Sequence, residues 1–182
     1  MDKIAVIYYS FKGETIAPGM KIVNLEKGHT AVAAEFVQKA VGGELIELDT
    51  IKTYLKDHMK MIYEAKEELE NGIRPELKKY PDIREYHIIF LGFPNWWNTL
   101  PMSVVEFLEH CQWQGKKIIP FVTSGGSGFG RSLEDIKKYC NEIAEKNNLP
   151  VAFNNQYFRY VNQVISADQL GILGILIGLV FI

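Results

Sequence analysis

Short apolar runs alternate with helical patterns along this chain. The runs are rich in Ile, Val, Phe and Tyr and are hydrophobic at nearly every position, which is typical of strands covered on both faces. They occupy residues 4–9, 44–48, 88–93 and 117–122, with a weaker run at 151–158. The helical patterns place apolar side chains near a 3.6-residue period. They occupy residues 30–41, 54–71, 101–110 and 132–147.

This alternation predicts an α/β fold, in which a parallel sheet is connected by right-handed crossovers. No linker, repeat or low-complexity segment divides the 182 residues, so we expect one domain over residues 1–165. The segment 166–182 ends in a charge-free run, residues 170–182. As a helix, this run would be too short for a hydrocarbon core of about 30 Å, so we expect no membrane anchor. We expect a terminal helix packed on the same domain, with a homodimer as one way to bury its apolar surface.

The candidate chemistry lies in loops that follow strands, because the ligand crevice of an open parallel sheet lies outside the carboxyl ends of its strands. After the first strand come two hydroxyl-containing segments, residues 10–15 and 27–30. After the third comes an aromatic loop, residues 93–99, and after the fourth a run of four glycines and three hydroxyls, residues 123–130. Hydrogen-bond donors for a phosphate, large aromatic side chains and accessible backbone together suit a phosphorylated, planar, aromatic ligand.

These motifs resemble those of the flavodoxin-like FMN-binding family over about residues 3–140. The resemblance implies a doubly wound, five-stranded parallel sheet in the order 2-1-3-4-5 with helices on both faces. It also implies that FMN binds at the upper rim of the sheet and carries the redox chemistry. In the order of the three loops, the expected cofactor contacts are Ser10, Lys27, Gly28, His29, Thr30, Ala31, Pro94, Asn95, Trp96, Trp97, Asn98, Thr123, Ser124, Gly125, Gly126, Ser127 and Gly128.

The phosphate has two candidate positions, because the first loop departs from the compact family pattern. Thr15 is followed by a Pro-Gly pair that stops a helix within one turn, whereas Thr30 is followed by a strong helix-forming segment. A phosphate gains most from free N–H groups at the start of a real helix, so we place it at Gly28 to Ala31, with Ser10 facing it. Residues 11–26 then form an insertion beside the site, and whether that insertion contacts the ligand stays open.

Trp96 and Trp97 cannot both point into one core from an extended segment, because successive side chains alternate in direction. At least one of them is expected at the ligand crevice. We favour Trp97 as the residue that stacks on or borders the isoalloxazine ring.

Composition and charge exclude several other functions. A formal charge of −2 and a pI near 6.1 give no basic surface for nucleic acid. Cys111 and Cys140 form no disulfide or zinc motif, and the four histidines show no metal-ligand spacing. The N-terminus has no signal-peptide pattern, so we expect a cytoplasmic protein.

The same charge leaves the biochemical role open. Dedicated electron carriers of this type are typically strongly acidic, which steers them to basic partners. The leading hypothesis is an FMN-binding protein that transfers electrons to a redox partner protein or a small-molecule acceptor. The alternatives are an FMN-dependent NAD(P)H oxidoreductase acting on a quinone-like acceptor, and an interaction module of the same fold without a cofactor.

Overall fold

The computed structural model describes residues 2–17, 21–150, 159–163 and 175–181. Its strands are β1 (Ile4–Tyr9), β2 (Gly13–Ala17), β3 (Lys21–Leu25), β4 (Glu44–Leu48), β5 (Ile88–Pro94), β6 (Lys117–Thr123), β7 (Arg159–Gln163) and β8 (Ile175–Phe181). Its helices are α1 (His29–Val41), α2 (His58–Asn71), α3 (Met102–Glu109) and α4 (Ser132–Lys146).

The predicted helices and the first four predicted strands of the sheet are present, and only the start of α2 differs by more than one residue. That helix begins at His58, because the Asp57 side chain accepts a hydrogen bond from the Lys60 amide and caps the helix there. Tyr54, the predicted start, is instead buried in the core before the helix begins.

The parallel part of the sheet has the order β4-β1-β5-β6. This order confirms the predicted arrangement of the first four strands, second-first-third-fourth. The complete order 2-1-3-4-5 is not confirmed, because the predicted fifth strand, residues 151–158, lies outside the described residues and an antiparallel strand, β8, lies beside β6. Beyond β6 the sheet continues with β8, antiparallel to β6, and then β7, antiparallel to β8.

Helices cover both faces of the parallel strands, as predicted. On one face α1 packs closely, because small side chains let its backbone approach the sheet: Ala31, Ala33 and Ala34 are buried there. On the other face lie α2, α3 and α4. The buried side chains of these three helices form one hydrophobic core with residues of β1, β5 and β6. They include Met61, Val104, Val105, Phe107, Leu133 and Ile136. Burial on both faces explains the continuous apolar runs of these strands.

The prediction of a terminal helix over residues 170–182 is wrong for the part that the structure describes, because residues 175–181 form the strand β8. The physical reason lies in the pattern itself. The sequence ILIGLVF has no polar position that would give a helix a solvent face, and its Ile and Val residues favour a strand. The domain boundary at residue 166 stays a prediction. Across the described ranges, no helix is long and apolar enough to cross a membrane.

The insertion between β1 and α1 folds as an antiparallel hairpin of β2 and β3. It is attached to the start of α2 at two points. The Glu14 amide donates to the Lys56 carbonyl at 2.8 Å, and the His58 amide donates to Glu14 Oε2 at 3.2 Å. The insertion is therefore a folded element with a fixed neighbour.

Gly92 is expected to be a sensitive position in the sheet, because it lies opposite Phe121 in the β5–β6 register. A β-carbon at residue 92 would lie 2.2 Å from the buried Phe121 ring. We expect Gly92→Ala to lower the free energy of unfolding by about 1–3 kcal/mol, measured by equilibrium urea denaturation. Gly125→Ala is the control, because a β-carbon there meets nothing within 4 Å. An equal loss in both variants would contradict the packing argument.

Candidate functional site

The main cavity lies beyond the carboxyl ends of β1, β5 and β6, where the three loops converge. Its volume is about 340 Å³, within the range of small-molecule sites. The start of α1, the loop after β5 and the end of β6 line one side, and the hairpin and α2 line the other. The lining residues are Phe11, Thr15, Ile16, Leu25, His29, Thr30, His58, Met61, Ile62, Ala65, Pro94, Asn95, Trp96, Trp97, Thr123, Ser124 and Gly125.

The start of α1 is packed directly against the end of β1. Gly28, the residue before the helix, is buried so closely that a β-carbon there would lie 2.1 Å from the Phe11 carbonyl oxygen and 2.3 Å from Ser10 Oγ. Ser10 Oγ in turn accepts a hydrogen bond from the Ala31 amide at 3.0 Å. Only glycine allows this approach, which holds the helix N-terminus at the cavity.

The first two amides of α1, those of His29 and Thr30, have no hydrogen-bond partner among the described residues. Unpaired N–H groups at a helix N-terminus attract anions, and the helix dipole adds to that attraction. Burial lowers the pKa of His29, so its imidazole is neutral at pH 7. The anion-binding capacity of this end of the cavity therefore comes from backbone rather than from a charged side chain.

Two hydroxyls connect this helix to the central sheet. Thr30 Oγ1 and Thr123 Oγ1 lie 2.7 Å apart, and both residues are buried. One hydroxyl donates to the other, so the proton of the accepting hydroxyl stays available for a ligand in the cavity.

The aromatic loop after β5 makes a tight turn. Trp96 and Thr99 exchange two backbone hydrogen bonds, of 2.9 and 3.1 Å, across Trp97 and Asn98. Both central residues have positive φ, 51° and 67°. Asparagine adopts this conformation readily, whereas for tryptophan it is strained. The two tryptophans therefore differ in direction because of this turn, and not because of the alternation of an extended segment that was expected from the sequence.

Trp97 lies at the tip of this turn and is 41% exposed. Its indole N–H donates to the Ile62 carbonyl of α2 at 2.6 Å, and Lys66 Nζ lies 5.2 Å from the ring centre. Trp97 is thus fixed at the mouth of the cavity beside α2.

Trp96 points inward and meets three other rings edge-on. Its ring centre lies 5.5 Å from that of Tyr9, 6.1 Å from that of Phe11 and 5.4 Å from that of Tyr54. The Tyr54 hydroxyl donates to the buried Glu68 carboxylate at 2.6 Å, and burial raises the pKa of Tyr54 well above its usual range. Trp96, which lines the cavity, is therefore supported by buried aromatic rings, and burial keeps Tyr9 and Tyr54 protonated.

The loop after β6 holds the strained turn in place. The Asn95 amide donates to the Thr123 carbonyl at 2.9 Å, and its side chain donates to the Gly128 carbonyl at 2.6 Å. The Arg131 amide donates to the Asn98 carbonyl at 2.9 Å. Gly130 makes this possible, since a β-carbon there would lie 2.4 Å from the same oxygen.

The structure brings the three predicted loops together but gives their residues different positions. Those that line the cavity are His29, Thr30, Pro94, Asn95, Trp96, Trp97, Thr123, Ser124 and Gly125. Five others lie outside the lining and connect the loops through hydrogen bonds or close contacts: Ser10, Gly28, Ala31, Asn98 and Gly128. Lys27 pairs with Glu35 at an exposed position, and Gly126 and Ser127 lie outside the cavity lining.

Sequence reasoning missed the opposite side of the cavity. The residues concerned are Phe11, Thr15, Ile16, Leu25, His58, Met61, Ile62 and Ala65. One signal was present, since residues 58, 61, 62 and 65 share one face of a helix. That spacing is equally typical of an ordinary core face, so it does not by itself indicate a ligand.

Comparison with known proteins agrees with this geometry. The flavodoxin family model matches residues 3–157. The chain belongs to the flavodoxin family. No curated protein matches it.

Solved structures of similar proteins carry the same fold. A protein of Bacteroides eggerthii, named a putative flavoprotein, is 31% identical, with a TM-score of 0.61 over 76% of this chain and 80% of its own. A putative flavoprotein of Bacteroides uniformis is 30% identical, with a TM-score of 0.60 over 75% and 81%. A flavoprotein of Lactobacillus acidophilus, solved in complex with FMN, is 18% identical, with a TM-score of 0.60 over 78% and 87%. At 18% identity, the similarity to the Lactobacillus acidophilus flavoprotein shows only that the two proteins share a fold.

The hydroxyl pair yields a prediction about stability. Thr30→Val leaves the Thr123 hydroxyl without its partner, so we expect the free energy of unfolding to fall by about 1 kcal/mol in urea denaturation. Thr30→Val combined with Thr123→Val replaces both partners with groups of similar shape and should recover much of that loss. A double variant that loses the sum of the two single effects would show that the hydroxyls do not interact.

Proposed function

We propose that this protein binds FMN in the main cavity and transfers electrons through it. The observation that carries the proposal is that two unlike kinds of group line one cavity. They are the start of α1, where the amides of His29 and Thr30 have no hydrogen-bond partner among the described residues, and the aromatic side chains of Trp96 and Trp97. FMN joins the two kinds of group that would match them, a phosphate and a flat aromatic ring.

The phosphate belongs at the start of α1. There it would accept hydrogen bonds from backbone N–H groups of His29 and Thr30 and from the hydroxyl pair of Thr30 and Thr123. Charge-assisted bonds of this kind are about twice as strong as neutral ones. The close contact of Gly28 with β1 keeps these donors in position before any ligand arrives.

The ring belongs between the tryptophans and the end of β6. Trp96 and Trp97 offer aromatic surface, and residues 123–125 offer backbone without bulky side chains. Bound FMN supplies reversible electron transfer, and the protein supplies binding, orientation and the electrostatic environment. The FMN complex of the Lactobacillus acidophilus flavoprotein, which has the same fold, supports the choice of FMN. The electrons then pass to a redox partner protein or a small-molecule acceptor.

Flavin titration of the purified protein tests the proposal. Flavin fluorescence should be quenched as the apoprotein binds FMN, and the holoprotein should be yellow and undergo reversible reduction by dithionite. A protein that stays colourless and does not bind added FMN would refute the function. Oxidation of NAD(P)H by the holoprotein, with a quinone as acceptor, would instead identify an oxidoreductase.

The position of the phosphate can be tested with two matched threonine variants. Thr30→Val removes a hydroxyl at the start of α1, so we expect the Kd for FMN to rise about tenfold, the equivalent of one charge-assisted hydrogen bond. The Kd for riboflavin, which has no phosphate, should change little. Thr15→Val, on the hairpin, should change the affinities for FMN and riboflavin to the same extent, because its hydroxyl is not expected to meet the phosphate. The opposite ranking of the two variants would move the phosphate to the hairpin.

A further inference from the structure

The hairpin and α2 together form one continuous side of the cavity, which we call the hairpin wall. Its hairpin residues are Thr15, Ile16 and Leu25, and its α2 residues are His58, Met61, Ile62 and Ala65. The wall reaches Trp97, whose indole N–H donates to the Ile62 carbonyl. It is a folded surface rather than a loop, because β2 and β3 are paired along their length and β2 is bonded to the start of α2.

The surface of the hairpin wall is mostly apolar. Ile16, Leu25, Met61, Ile62 and Ala65 contribute hydrocarbon surface, so the wall favours an uncharged, flat group. Only the Thr15 hydroxyl and the His58 imidazole among the side chains of the wall could bind a hydrated dianion.

Two carboxylates at the start of α2 point the same way, whereas the Lys66 ammonium lies farther along this helix, beside Trp97. The N-terminus of α2, which would otherwise attract anions, is already covered by carboxylates. Glu14 Oε2 accepts from the His58 amide at 3.2 Å, and Asp57 Oδ1 accepts from the Lys60 amide at 2.9 Å. These two acidic groups would repel a phosphate, whereas no such carboxylate is bonded to the first two amides of α1 among the described residues.

We propose that the hairpin wall binds the uncharged isoalloxazine ring of the flavin, so that the insertion at residues 11–26 is part of the cofactor site. This inference rests on the proposed function, FMN binding. The ring would lie between the hairpin wall and the loops after β5 and β6, with the phosphate at α1. The sequence alone left the role of this insertion open. Because Thr15, Ile16 and Leu25 line the cavity, we assign the hairpin a role in binding the ring.

Two isoleucines of the hairpin provide a matched test. Ile16 and Ile22 are cross-strand partners, and only Ile16 lines the cavity. Both are partly exposed, at 43% and 60%, so an aspartate at either position is tolerated by the fold to a similar degree. Ile16→Asp places a carboxylate against the ring, so we expect the Kd values for FMN and riboflavin to rise together by tenfold or more. Ile22→Asp places its carboxylate beside residue 16 on the same face of the hairpin but outside the cavity lining, so it should raise both Kd values less. Fluorescence titration gives the Kd values, and thermal unfolding of the apoproteins compares the stability of the two variants.

A second variant separates ligand contact from structural damage. Ala65 lies on the cavity face of α2, so Ala65→Leu fills part of the wall. Thermal unfolding of the apoprotein shows whether the leucine is accommodated at this buried position, and we expect the affinity of the folded variant for both flavins to fall at least tenfold. Met59→Leu is the control, because Met59 lies on the same helix but is exposed and outside the cavity lining.

Three results would overturn the inference. Flavin affinities in Ile16→Asp equal to those of the wild-type protein would mean that the wall does not touch the ring, although wild-type binding would still support the proposed function. A loss of affinity for FMN without a loss for riboflavin would place the phosphate, and not the ring, at the wall. A wild-type protein that binds neither flavin would refute the proposed function itself, and this inference with it.

Discussion

The contact between Gly28 and the end of β1 determines where α1 begins relative to the sheet. With no side chain at Gly28, the helix N-terminus lies against the Phe11 carbonyl and the Ser10 hydroxyl. That position brings His29 and Thr30 to the cavity lining and the Thr30 hydroxyl to Thr123. The polar end of the cavity follows from this single approach of backbone to backbone.

The aromatic end of the cavity depends on a strained turn. A positive φ at Trp97 costs conformational energy of the order of 1–3 kcal/mol, and it persists only where neighbouring groups hold it. Here the neighbours are the loop after β6 and the start of α4, which bond to Asn95 and Asn98. The strain places Trp97 against α2 while Trp96 packs on Tyr54. The two loops therefore behave as one unit, and a change in either is expected to move both tryptophans.

Much of this molecule follows from local pattern. Continuous apolar runs specify strands buried on both faces, and the order of strands and helices specifies a parallel sheet whose loops meet at one edge. The order of the first four strands and the choice of Thr30 over Thr15 as the start of a real helix rest on such patterns, whereas the different directions of Trp96 and Trp97 depend on the turn between Trp96 and Thr99. The structure of the charge-free run at residues 175–181 did not follow from local pattern. Apolar surface on every side is compatible with a strand or with a buried helix, and tertiary pairing decides between them.

The sequence by itself determined the three loops of the candidate site, because each is tied to a strand end and strand ends of a parallel sheet converge. Only the tertiary structure decided which residues in those loops line the cavity and which support it, since that depends on contacts between loops, such as those of Gly28 and Asn95. It alone also revealed the opposite side of the cavity. Ile16 and Ala65 lie 49 residues apart in the chain, and no local pattern indicates that a hairpin and a helix will share one wall.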